Sequence, residues 1–414
     1  WVLILVGYLS LVYTILTLTI WSNEETMYSN IATRCSSLND AFDEVSSMGL
    51  TGENLITYFQ NNSKSILSDK MFYQEHQVNE KVNDSTKLYE ILRYYLFNSS
   101  VSNNCSLENS IPAKLTKNVK PIPVHSHNDY WRDFPLFEGL AVGATSTEAD
   151  VWIIKNKLPK DTDLVNEWDA YTLAVGHSKH GLKPEIDNLE SLYTGPLLEL
   201  LDSVNCNDTS DKNSEPRGVF YDYPNTTVFL HIDFKSKDSK LVYDILMNKY
   251  LQPLIQKDYV TYYDMENSEI KWKPVTVVLT GASPNSLSII DGNDLEKGYF
   301  HDNKRYGFPE SVLDDLDSTD NGFSLATSTS FSKLLKDCKS SVSKVKTQGK
   351  LSDDQISCIK RFVDDAHGKN LKTRIWDVPE GPDTFTKEVW TQEIHQLGID
   401  LLNVDDLFEA SKLF

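Results

Sequence analysis

The stretch "PVHSHNDYW" sets two histidines, an asparagine and an aspartate within five residues, His125 to Asp129. Taken alone it is equally a metal site, an acid/base site or a polar loop. Three further stretches supply partners. In "TSTEADVWII", Glu148 and Asp150 stand two apart, so in a strand both point to one face, with Trp152 beside them. Two carboxylates on one buried face repel, and raise each other's pKa unless a cation lies between them. "LAVGH" delivers His177 after a glycine, and in "VFLHIDFK" His231, Asp233 and Lys235 share a face. Asp233 and Lys235 suit a plain ion pair, or a metal ligand beside a cation for an anionic substrate. Together the stretches offer three carboxylates, an asparagine, two or three histidines and a lysine. Oxygen-rich ligation suits Mg2+ or Ca2+ better than zinc. Two histidines beside such a metal suit a general base and a general acid.

These groups need a scaffold that brings separate strand ends together. The apolar runs "PIPVH", "STEADVWII", "YTLAVGH", "TTVFLHIDFK", "PVTVVLTG", "LKTRIWDV" and "IDLLNVDD" read as strands. Helical stretches stand between them: "FPLFEGLAVG", "LESLYTGPLLELLDSV", "SKLVYDILMNKYLQPLIQ", "SDDQISCIKRFVDDAHGKN" and "TKEVWTQEIHQLG". Such alternation predicts an α/β fold, a TIM-type (β/α)8 barrel over residues 119–414. Barrel enzymes carry their chemistry at the C-terminal ends of strands, which is where the polar groups fall. An open doubly wound sheet is the runner-up, but no Gly-rich loop follows the first strand.

The ordered set "SHNDYW", "EADVW", "VGH" and "HIDFK" resembles the phosphatidylinositol phospholipase C and glycerophosphodiester phosphodiesterase superfamily, whose members are TIM barrels. Within it, "HSHNDY", "EADVW", "VGH" and "LLNVDDL" resemble a fungal family, the altered inheritance of mitochondria protein 6 family. The resemblance covers about residues 119–410. It implies His127 and His177 as the catalytic acid/base pair. It implies Asn128, Glu148, Asp150 and Asp233 as ligands of a divalent metal, and Lys235 as the phosphate-binding lysine. It departs in two places: "HSHND" replaces the "HRG" of glycerophosphodiesterases, and Asp233 replaces a longer glutamate. His125 is a competitor for the role of His127. The implied activity is metal-dependent hydrolysis of a small-molecule or lipid phosphodiester. Trp152 and Trp376 are candidate walls for the leaving group.

Two other readings use the same residues. His125 and His127 can form the zinc pair of an amidohydrolase-like enzyme, with His177, His231 and Asp405 or Asp406, which leaves the Glu148–Asp150 pair unexplained. Alternatively the barrel is a non-catalytic, membrane-anchored lipid-binding scaffold.

Composition sets the outer limits. The 414 residues carry a net charge of −20 and no basic block, which argues against a nucleic-acid partner. The first 21 residues lack charge, span roughly 30 Å as a helix, and end in Trp1 and Trp21. They predict a single transmembrane anchor, with the acidic flank that follows placing the catalytic domain on the lumenal side. Residues 22–118, rich in Asn and Ser, predict a helical or stalk region. Asn-x-Ser/Thr sites at Asn61, Asn83, Asn98, Asn104, Asn207 and Asn225 are compatible with a glycoprotein. Five cysteines without a CxxC allow one or two disulfides, whose pairing stays open.

Overall fold

A computed structural model describes residues 38–68, 83–98, 106–156, 167–206, 215–284, 303–316, 323–379 and 381–414. The expected anchor, residues 1–21, lies outside them. Among the described residues no helix is long and apolar enough to cross a membrane. The described residues fall in two compact units, one ending at Tyr95 and one holding Thr51–Glu53 and Leu96–Phe414. In the first, Phe42 and Phe59 pack on Tyr95 with ring centroids 5.4 and 5.7 Å away.

The second unit is the barrel. Its strands are β1 (Ile122–Ser126), β2 (Ala144–Lys155), β3 (Tyr171–Val175), β4 (Val228–Phe234), β5 (Tyr262–Asp264), β6 (Glu269–Lys271), β7 (Val275–Gly281), β8 (Lys304–Tyr306), β9 (Phe308–Pro309), β10 (Ser311–Val312), β11 (Ala326–Ser330), β12 (Lys372–Trp376) and β13 (Leu401–Val404). Nine of them run parallel in the order β10-β11-β12-β13-β1-β2-β4-β7-β9. The ends of that path, β9 and β10, flank the single residue Glu310, whose N–H donates to Leu279 O. They act as one stave, so the sheet nearly closes on itself as a TIM-type barrel.

The strand reading needs three corrections. "YTLAVGH" is not a stave: β3 pairs antiparallel with β2, Val175 opposite Val151 and Tyr171 opposite Lys155. β2 is long enough to overshoot the rim, and β3 folds back along the overshoot. The fifth and sixth staves, "FPESV" and "ATSTS", were not expected. They are short and lack the apolar runs that mark a strand. The alternation is also incomplete, because among the described residues no helix separates β10 from β11.

The helices cover the barrel as amphipathic patterning requires. Phe331, Leu334 and Leu335 pack with Ile359, Val363, Phe385 and Val389 from the helices after β11 and β12. Helix Asp353–Gly368 starts at a capping box, with Ser352 and Gln355 exchanging side-chain to backbone hydrogen bonds. A disulfide joins Cys338 to Cys358. Inside the ring, Phe229, Val278 and Ala326 form a small apolar layer. Above it the interior turns polar. Arg374, Glu310, His125, His231, Ser146 and Asn403 are all buried there. A polar core of this kind is tolerable only if its members satisfy one another.

Candidate functional site

The site stands on three staves, β1, β2 and β4, and on the returning strand β3, at the C-terminal rim. β2 and β4 are in register with Glu148 opposite His231 and Asp150 opposite Asp233. The strand period therefore sets Glu148, Asp150 and Asp233 side by side, while Ala149 and Val151 face the helices, fully buried. The three carboxylates each offer an oxygen within 4.8 Å of the others. Like charges directly opposite on neighbouring strands repel, so a cation must compensate. Lys235 does part of this: its Nζ lies 2.7 Å from Asp233 Oδ2 and 3.1 Å from Asp150 Oδ2. Gly281, at φ +67, makes room for Asp233, because a Cβ there would overlap Asp233 Oδ1.

The carboxylates are not equivalent. Burial, then the charge of Glu148, pushes Asp150 up to about 6. Burial raises Asp233 as well, against the pull of Lys235. Burial opposes the charge of Glu148 too, but His125, Arg374 and His127 around it hold its carboxyl well below the usual range. The mutual raising expected for Glu148 and Asp150 thus falls on Asp150 alone, because His125 and Arg374 act on Glu148. That arginine makes a two-point pair with Glu310, at 3.2 and 3.0 Å, and donates to Asn403 Oδ1 at 3.1 Å.

The histidines divide by depth. His125 is fully buried, with Nδ1 2.7 Å from Ser146 Oγ and Nε2 3.3 Å from Arg374 Nη1. Burial, then the Arg374 charge, pushes it down to about 4, so it is neutral. His231 is buried behind Ser146, 3.1 Å from the hydroxyl, and is held below the histidine range by burial and His125. The zinc-pair alternative needs a free nitrogen on His125, and here Nε2 faces the Arg374 guanidinium and Nδ1 the Ser146 hydroxyl. His127 instead faces the rim, with Nδ1 2.8 Å from Asp405 Oδ1 and Nε2 3.9 Å from Glu148 Oε2. Burial would lower its pKa, but the Asp405 hydrogen bond and the Glu148 charge outweigh it and raise it. His177 reaches the other side of the cluster, Nδ1 3.4 Å from Asp150 Oδ2, because antiparallel β3 returns to the rim.

Asn128 adopts φ 45, and its N–H donates to Glu148 Oε2 at 3.0 Å. The Tyr130 hydroxyl lies 2.6 Å from Asn128 Oδ1 and 2.7 Å from Asp150 Oδ2. Burial and the neighbouring Asp150 raise the Tyr130 pKa, which keeps it a donor. All seven residues singled out in the sequence (His127, Asn128, Glu148, Asp150, His177, Asp233 and Lys235) therefore come together. Trp152 serves as a brace, its indole donating to Gly176 O at 2.7 Å, and Trp376 is 41% exposed. Missed were Tyr130, Arg374 and Glu310. An arginine inside the apolar run "KTRIWDV" was a usable signal, whereas Glu310 sits in a strand the pattern did not reveal.

The donor set fits a hard divalent cation. It is all oxygen, it is buried, and Asp150 Oδ1 has no hydrogen-bond partner. Glu148, Asp150 and Asp233 are the residues that can hold such an ion.

Residues 113–302 match the model of an AIM6-like phosphodiesterase domain, a span that includes all seven residues. The chain is 45% identical over 371 residues to altered inheritance of mitochondria protein 6 of Saccharomyces cerevisiae, covering 89% of this chain and 88% of that one. It is 42% identical over 371 residues to the protein of that name from Zygosaccharomyces rouxii, covering 89% and 87%. The figure for the protein from Lachancea thermotolerans is 41% over 377 residues, covering 88% and 82%. No solved structure matches the chain. At this identity and coverage, and with the phosphodiesterase-domain match lying over the acid cluster, the chain belongs to the altered inheritance of mitochondria protein 6 family.

Proposed function

We propose that the protein is a metal-dependent phosphodiesterase. The observation that carries the reading is the buried Glu148–Asp150–Asp233 cluster with a histidine on either side. Glu148, Asp150, Asp233 and Asn128 would hold a Mg2+ or Ca2+ ion, which when bound would supply Lewis-acid charge and lower the pKa of the attacking hydroxyl or water. Asp405 fixes the His127 ring through Nδ1 and so turns Nε2 toward the cluster. Asp150 and Tyr130 approach Nδ1 of His177. As the new P–O bond forms, one histidine takes the proton of the nucleophile. As the old P–O bond breaks, the other gives a proton to the leaving oxygen. Lys235 adds positive charge beside the phosphoryl group. The uncharged segment 1–21 would tether the enzyme to a membrane, which brings a lipid-derived phosphodiester within reach. The relatives' name links them to inheritance of mitochondria, and the same link is proposed for this chain.

The test is calorimetric titration of metal-stripped full-length protein with Mg2+, Ca2+ and Zn2+, beside Glu148→Gln, followed by a phosphodiester screen. Saturable Mg2+ or Ca2+ binding that Glu148→Gln abolishes, with turnover lost in His127→Ala and His177→Ala, is expected. Zinc binding indifferent to Glu148, or turnover surviving both histidine changes, refutes the mechanism.

A further inference from the structure

The barrel end opposite the acid cluster carries a feature that the proposed chemistry leaves unused. β4 delivers Asp233 to the C-terminal rim, and the residues just before its first residue, Val228, form a turn at the other rim. There Thr226 N–H donates to Tyr223 O at 3.1 Å, with Pro224 at the first corner, where its fixed φ suits a turn. Gly218 N–H donates to Pro224 O at 2.6 Å and pins the turn. Asn225 is exposed in this turn and heads the Asn-x-Thr sequence that Thr227 completes. Tyr223, two residues earlier, is 45% exposed. Of the six Asn-x-Ser/Thr sites, only those at Asn61 and Asn225 have an aromatic residue at that position. The one before Asn61 is Phe59, which is 1% exposed and packs on Tyr95. Asn83, also exposed, already uses Oδ1 to accept the Thr86 N–H at 2.8 Å. Asn225 therefore joins an acceptor sequence, an exposed turn and an exposed ring. The disulfide Cys338–Cys358, in the same compact unit, is a second and independent observation. Disulfides persist in oxidising compartments such as the endoplasmic reticulum lumen, where asparagine-linked sugar is added.

We propose that Asn225 is a site of N-glycosylation and that the first sugar of its glycan seats on the Tyr223 ring. The co-substrate is an oligosaccharide linked to a lipid diphosphate. The bond from Asn225 Nδ2 to the sugar C1 forms, the C1–O bond to the diphosphate breaks, the amide loses one proton and the lipid diphosphate departs. One face of a pyranose is a row of C–H groups, slightly positive and apolar, which suits the negative face of an aromatic ring. Covering Tyr223 in this way removes an exposed apolar surface and ties the glycan to the turn. The glycan stands at the barrel end away from Asp233, so it leaves the acid cluster open. The proposal rests on the lumenal placement of the barrel and is independent of the phosphodiesterase reading.

The test uses the full-length protein made in a eukaryotic host, with glycopeptide mass spectrometry before and after peptide N-glycosidase. Occupied Asn225 is expected, with its glycan lost in Asn225→Gln. An empty Asn225 beside other occupied sites overturns the assignment, and a chain without any asparagine-linked sugar overturns the lumenal placement with it. The seat on Tyr223 is read by thermal melting of the wild type, Asn225→Gln, Tyr223→Ser and the double variant. Asn225→Gln should lower Tm by about 1–3 °C when Tyr223 is present. The same change should have no effect on top of Tyr223→Ser, because the sugar has then lost its ring. Equal shifts in the two backgrounds, with Asn225 occupied in both, overturn the seat on Tyr223.

Discussion

Replacing Arg374 with methionine probes the polar floor on which the acid cluster stands. The guanidinium is buried, pairs through two bonds with Glu310, and donates to Asn403 and towards His125. The Glu310 side chain is 5% exposed, and its histidine neighbour at 3.7 Å, His231, is kept neutral. Removing the arginine therefore strands a carboxylate with little access to water. Breaking one partner out of a buried pair costs about 3–5 kcal/mol. Replacing both partners with apolar side chains of similar volume is often near neutral. Arg374→Met should then lose about 3–5 kcal/mol in urea unfolding followed by near-UV circular dichroism. Adding Glu310→Met should restore at least about half of that loss, since the stranded charge goes with it. A loss below about 1 kcal/mol in the single variant would show that Glu310 is not stranded and that the pair is not buried. A double variant whose loss is the sum of both singles would show that the two residues do not act as a pair.

Two further outcomes follow from separate features. Gly281→Ala should fold, but displace the Asp233 carboxylate that a Cβ would overlap, and weaken divalent-metal binding about 10- to 100-fold by calorimetry; unchanged affinity would remove Asp233 from the site. Glu393 is fully buried with neither carboxylate oxygen hydrogen-bonded, and burial pushes it up to about 8 from 4.5. The folded chain keeps a proton that the unfolded chain releases. Its contribution is therefore intact below pH 4.5 and is lost as pH rises through about 8. Against Glu393→Gln, the wild-type protein should lose about 1.4 kcal/mol of relative stability per pH unit across that window; parallel stability curves for the two proteins would refute the buried, protonated state.

Much of the site was legible because its signals are local. A strand period of two is enough to put Glu148 with Asp150 and Asp233 with Lys235, and apolar neighbours such as Ala149 and Val151 are enough to say those faces are buried. Residue chemistry then names the ligand class, since carboxylates and an amide oxygen suit a hard cation. The parallel barrel was legible for a similar reason: strong apolar strands alternate with amphipathic helices in most of the chain.

What stayed hidden is pairing across distance. Nothing local distinguishes β3 as an antiparallel partner of β2 from a stave, because direction is set by which neighbour supplies hydrogen bonds. "FPESV" and "ATSTS" carry no apolar period, and they become strands only because β7 and β12 offer open edges on either side. The charge states of the site are also a tertiary property. The sequence places two carboxylates together, but Glu148 is held ionised by His125 and by Arg374, more than two hundred residues away, whereas burial and the charge of Glu148 push Asp150 towards neutrality. Coulomb energy depends on separation in space and on exclusion of water, and only the closed ring of strands determines either.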